Sequence, residues 1–141
     1  SQIAKNLSIK NDNIYLVGSS DYNIIPYFLI ADVLISDFSS TIFEFLPLNR
    51  PIIQVECLKL RLRHRIFSRR FKKKLDLERM QELDFVYKVD YPSELHRSIA
   101  FATDHPEEMS DLRQDALSYY LYKNDGKSSA RLIDEIEKKL S

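Results

Sequence analysis

The chain has 141 residues, 21 basic and 21 acidic side chains, 44% hydrophobic residues and one cysteine. That is enough for one domain with its own core, and the lone Cys57 excludes an internal disulfide framework, so a reducing compartment is expected. The most apolar stretch, residues 24–35, is interrupted by Pro26 and Asp32 and falls short of the ~20 residues needed to cross a bilayer.

The chain opens in what reads as mid-helix, without a signal peptide, so a fragment is expected. Residues 13–17, Asn-Ile-Tyr-Leu-Val, read as a first strand closed by Gly18, Ser19 and Ser20. Asp21 is placed to cap a short helix through Ala31. A second strand is expected over residues 33–36 and a helix from about Ser40 to Leu48, ended by Asn49-Arg50-Pro51. Residues 52–55, Ile-Ile-Gln-Val, read as a buried third strand, and residues 84–89 as a weakly alternating fourth. Three helical segments follow, over residues 92–103, 106–122 and 127–140. Strands alternating with helices imply right-handed crossovers, hence an α/β fold with an open parallel sheet flanked by helices. With about four strands, against the six usual in a complete dinucleotide-binding fold, the sheet is expected to be half of something larger.

Residues 33–45 carry the clearest functional signal. A short β-branched run stops at Asp37 and two serines and gives way to an amphipathic helix, with Ser39 placed as its N-cap. Unpaired N–H groups and the dipole at a helix start favour an anion, and Ser39, Ser40 and Thr41 add hydroxyls. Glu44 lies about one turn further, where a carboxylate accepts the hydroxyls of a ribose whose diphosphate sits on the turn. A nucleotide at the carboxyl end of a parallel strand is the functional reading. An ordinary capped turn, with Glu44 merely favouring the helix dipole, is the plainer one. Gly126-Lys127-Ser128-Ser129 lacks the full spacing of a phosphate loop. There Gly126 is expected to end one element and a serine to cap the last helix, with Lys127 as a possible phosphate contact.

Zero net charge hides an asymmetry. Residues 59–74 hold nine basic side chains (Lys59, Arg61, Arg63, Arg65, Arg69, Arg70, Lys72, Lys73 and Lys74) and no acid, which leaves 12 basic against 21 acidic elsewhere. A solvated face is the usual fate of such a run. The interleaved Leu58, Leu60, Leu62, Ile66, Phe67, Phe71 and Leu75 also suit contact with an anionic membrane. Nucleic acid is disfavoured, because Phe67 and Phe71 are the only aromatics within the run.

Two blocks carry a resemblance. Ala-Asp-Val-Leu-Ile-Ser-Asp-Phe-Ser-Ser-Thr-Ile-Phe-Glu-Phe with the following Asn49-Arg50-Pro51-Ile52-Ile53, and then Asn124-Asp125-Gly126-Lys127-Ser128-Ser129-Ala130-Arg131, together resemble the CDP-glycerol glycerophosphotransferase family of teichoic acid biosynthesis. The resemblance implies a two-domain GT-B fold, of which residues 1–141 would be a single donor-nucleotide domain lacking the N-terminal acceptor domain. It implies transfer of a polyol phosphate from a CDP-activated donor to a lipid-linked acceptor, without metal or cofactor, in the cytoplasm or at the inner face of the membrane. Asp37, Ser39 and Ser40 would then lie at the diphosphate, Glu44 at the ribose, and Gly18, Ser19 and Ser20 near the base. The family's histidine acid/base groups match none of His64, His96 and His105, so the catalytic groups are expected outside this chain. A GT-B glycosyltransferase or epimerase using a UDP-sugar, and a non-catalytic module docking on membrane or RNA, are the alternative readings.

Overall fold

The computed structural model describes residues 2–18, 23–56 and 82–140, which fall into two units, residues 1–30 and 31–141. The first contains α1 (Gln2–Lys10) and the short α2 (Ile25–Ile30). The Ile25 N–H donates to Asn23 Oδ1 at 3.1 Å, and Pro26 occupies the first turn, where a missing N–H costs nothing. Asp21, expected to cap this helix, lies outside the described residues.

The strand expected over residues 13–17 is absent, which corrects the sequence reading. Ile14, Tyr15, Leu16 and Val17 are exposed, and the Ile14 N–H turns back to the Asn11 carbonyl at 3.1 Å. A β-prone run becomes a strand only where a neighbouring edge accepts its backbone groups. Here Tyr15 instead stacks on Tyr27, with ring centroids 6.5 Å apart.

The second unit runs β1 (Leu34–Ser36), α3 (Thr41–Phe45), a 3-10 turn (Leu46–Leu48), β2 (Ile52–Val55), β3 (Tyr87–Val89), a 3-10 turn (Pro92–Glu94), α4 (Leu95–Asp104), α5 (Ser110–Leu121) and α6 (Ser128–Leu140). The sheet order is β1-β2-β3 and both pairings are parallel, with Leu34 opposite Ile52 and Ile53 opposite Tyr87. Three strands are therefore described where four were expected. β2 is central, and its Ile52, Ile53 and Gln54 are all buried, as a continuous apolar run in a parallel sheet should be.

Side-chain alternation assigns the faces. On one, Ile53 and Val89 pack with Ala102 of α4, bordered by Val33, Tyr87, Leu95 and Ile99. Ser36 points to the other, where it meets Thr41, so α3 covers that face with Ile42 and Phe45 fully buried. The helix expected from Ser40 to Leu48 is present, but it tightens into the 3-10 turn at Pro47, whose nitrogen has no hydrogen to continue an α-helical ladder. Asn49 closes that turn in the left-handed region at φ 50°. Among the described residues no helix is long and apolar enough to cross a membrane.

Candidate functional site

β1 ends at the carboxyl edge of the sheet in a turn built from backbone first. The Ser39 N–H donates to the Asp37 carbonyl at 2.8 Å, closing a three-residue turn. Asp37 thus supplies the carbonyl, while its carboxylate stays exposed. A carboxylate beside a phosphate repels it, so the turn geometry is the useful contribution of Asp37.

The N-cap position falls on Ser40 (φ −60°, ψ −18°), one residue later than the sequence pattern placed it, and the Ser40 hydroxyl makes no capping bond. The capping chemistry still belongs to Ser39, whose Oγ accepts the Thr41 N–H at 3.4 Å and also the Thr41 hydroxyl. Thr41 Oγ1 lies 3.3 Å from Ser36 Oγ. A chain of three hydroxyls therefore runs from the strand end to the helix start, leaving the Ser40 hydroxyl facing solvent. Glu44, four residues beyond Ser40 and also exposed, lies on the same side of α3. Because α3 has only five residues, its dipole is small, and an anion here depends mainly on hydroxyls and local N–H groups.

Two anchors hold this segment. Phe43 packs against Tyr120 of α5 and Phe85, with centroids 4.8 and 6.4 Å away. Tyr120 is half-buried by this contact, whereas Tyr119 and Tyr122 are exposed. The second anchor is Arg113 of α5, buried at 1% exposure. Its Nε donates to Asn49 Oδ1 at 3.0 Å, and Nη2 donates to the carbonyls of Asn49 (3.1 Å) and Pro106 (2.6 Å). Asn49 Nδ2 in turn donates to Ser110 Oγ at 2.8 Å. Burial pushes the Arg113 guanidinium below its ordinary value, partly offset by Tyr87. Tyr87 is pushed up by burial and by Glu108, with Glu107 adding and Arg113 opposing. Arg50 of the same block fixes the approach to β1, its Nη1 donating to the Ala31 carbonyl at 2.7 Å. Sequence reasoning missed Arg113, although it sits where the stripe Met109, Arg113, Ala116, Tyr120 turns inward.

Asp37, Ser39, Ser40, Thr41 and Glu44 are thus brought together. Gly18 belongs to the first unit and is exposed. Ser19, Ser20 and the basic side chains Arg61, Arg63, Arg65, Arg69, Arg70, Lys72, Lys73 and Lys74 lie outside the described residues. Lys127 is exposed before α6, and no hydrogen bond or ion pair joins its ammonium to the serine turn.

The block around Lys127 is instead a clasp. Asp125 accepts the Lys127 N–H at 3.0 Å and a bidentate pair from Arg131 Nη1 at 2.8 and 2.9 Å. Gly126 makes the reversal possible at φ 70°. The cap expected from a serine therefore comes from Asp125, and Ser128 is already helical, its Oγ accepting from Arg131 Nη2. The Arg131 hydrogen bonds, with the Lys127 N–H second, hold the Asp125 carboxyl below the usual carboxylate range. A separate hollow of about 650 Å³ lies between β3 and α4, where Lys88 and Arg97 face Asp90, Glu94 and Asp104. Its mixed charge favours no one ligand sign, and none of the serine turn lines it.

The family model described as CDP-Glycerol:Poly(glycerophosphate) glycerophosphotransferase matches residues 1–138. A teichoic acid glycerol-phosphate primase of Bacillus subtilis (strain 168) is 41% identical over 51 residues, which is 36% of this chain and 13% of that relative. The matched stretch is thus a small part of the relative's length. No solved structure matches.

Proposed function

The chain belongs to the CDP-glycerol:poly(glycerophosphate) glycerophosphotransferase family, and on that premise we propose that residues 31–141 hold the nucleotide-activated glycerol-phosphate donor of such an enzyme. The observation that carries the reading is the hydroxyl chain Ser36–Thr41–Ser39 at the carboxyl end of a parallel strand, with Ser40 and Glu44 exposed on one side of the helix that follows. Ser39, Ser40 and Thr41 hold the diphosphate, on a turn shaped by Asp37. Glu44 accepts the ribose hydroxyls. Attack by an acceptor hydroxyl on the glycerol-bearing phosphorus expels a cytidine monophosphate. Groups already oriented toward that phosphate stabilise its growing charge without reorganising, which is the main protein contribution to phosphoryl transfer.

In this reading the sheet is the C-terminal half of a GT-B fold, and the acid/base groups lie outside this chain. The acceptor is a polymer or lipid-linked chain, and the basic run of residues 59–74 draws the enzyme to the inner, anionic face of the membrane. Failure of the whole chain to co-sediment with phosphatidylglycerol vesicles at low salt would remove that last element.

Calorimetric titration with CDP-glycerol, CDP and UDP tests the donor site. We expect cytidine ligands to bind and Glu44→Ala to weaken them about ten-fold, the size of one or two hydroxyl hydrogen bonds to a carboxylate. Tighter binding of UDP would favour a sugar-nucleotide enzyme, and no binding of any of the three would end the reading.

A further inference from the structure

Glu56 is the first residue past β2 and still part of the ladder, its N–H donating to the Val89 carbonyl at 2.8 Å. Its side chain is half-buried, and Oε1 is shut off from solvent with no hydrogen-bond partner among the described residues. A carboxylate oxygen so placed has given up water and received no donor in return. Such orphans are rare in folded proteins, and each needs something to complete it.

The strand register shows what lies nearby. Ser36 is opposite Gln54, and residues two apart share a face, so Ser36, Gln54 and Glu56 line the face that α3 covers and on which the hydroxyl chain runs. With parallel strands ~4.8 Å apart and a rise of ~3.3 Å per residue, the Glu56 Cα lies about 8 Å from that of Ser36, two residues further toward the carboxyl edge. The position is the carboxyl edge of the central strand, where parallel sheets receive their ligands. A carboxylate there repels phosphate, so what it accepts is a hydroxyl. We infer that Glu56 accepts a hydrogen bond from a hydroxyl of the bound nucleotide-linked polyol, and so helps select a hydroxyl-bearing donor. The inference rests on the donor-site reading above and adds a second carboxylate to it.

Calorimetry of the whole chain with CDP-glycerol and with CDP, for wild type, Glu56→Gln and Glu56→Ala, tests it. Both variants should bind CDP-glycerol about ten-fold more weakly, as expected for one hydrogen bond to a charged group. The unliganded melting temperature should hold or rise, since a partly buried charge is removed. Weakening confined to CDP-glycerol supports contact with a polyol hydroxyl, whereas equal weakening with CDP, which carries no polyol, overturns it. Unchanged affinity in both variants, with wild-type binding intact, overturns the role of Glu56 and leaves the donor site standing. Lost affinity with a matching loss of folded protein in both variants also overturns it, because it marks a structural role. Wild type that binds neither ligand removes both readings.

Discussion

Replacing Arg113 with methionine keeps an unbranched chain of similar length in the core and deletes the guanidinium. Three acceptors then lose their donor: Asn49 Oδ1, the Asn49 carbonyl and the Pro106 carbonyl. Each buried acceptor left unpaired costs ~1–3 kcal/mol. Against that stands the relief of desolvating a cation that has no carboxylate partner among the described residues and whose Nη1 is buried and unpaired there. With partial rescue of the Asn49 side chain by Ser110, we expect a net loss of about 3 kcal/mol, a large share of the ~5–15 kcal/mol typical of a domain. Urea unfolding of wild type and Arg113→Met reads this as a fall in midpoint at unchanged slope. Because Asn49 ends the α3 segment, donor binding should weaken in parallel. A variant within ~0.5 kcal/mol of wild type would show that the desolvation cost cancels the three bonds, and would refute the assignment of Arg113 as the anchor behind the turn.

Thr41→Val removes the middle of the hydroxyl chain while keeping its shape, and should cost about 1 kcal/mol and weaken CDP binding, read by melting and calorimetry. The Asp125–Arg131 clasp gives a pH dependence of known sign. Asp125 titrates lower in the folded chain than when unfolded, so its contribution is complete above the unfolded carboxylate value and lost as pH falls through the folded one. Protection of the amides in the first turn of α6, taken relative to their intrinsic exchange rates at each pH, should therefore fall on acidification, and Asp125→Asn should remove that acid dependence. Gly126→Ala meets no atom within 4 Å, so its cost is purely conformational, about 1 kcal/mol at φ 70°, measurable by urea unfolding.

The legible parts of the chain are those in which local chemistry and tertiary need agree. Ile52 and Ile53 are β-branched, fully buried and followed by Gln54 in a central strand. The turn at Asp37–Ser39 is written in residues that favour turns and caps, and only the cap position slipped by one residue. Residues 13–17 have the same β propensity as β2 but no ladder, because propensity says what fits a sheet and not whether an edge is on offer. Arg113 stayed hidden for a related reason. Its acceptors come from Asn49, 64 positions away, and from Pro106, so the stripe it shares with Met109, Ala116 and Tyr120 is the one local sign that it turns inward. The DGKSS block was expected to end one element at Gly126 and to cap the last helix with a serine, yet its structure is organised by the flanking Asp125 and Arg131.

Asn49 carries two obligations with one side chain. Its left-handed backbone is tolerated best by glycine or asparagine, and its amide oxygen is the partner of a buried cation. Glycine satisfies the first and abandons the second. A lineage drifting away from this pair would therefore pass through an intermediate less fit than either end, so positions 49 and 113 should change together or not at all, and their combined effect should be far from additive.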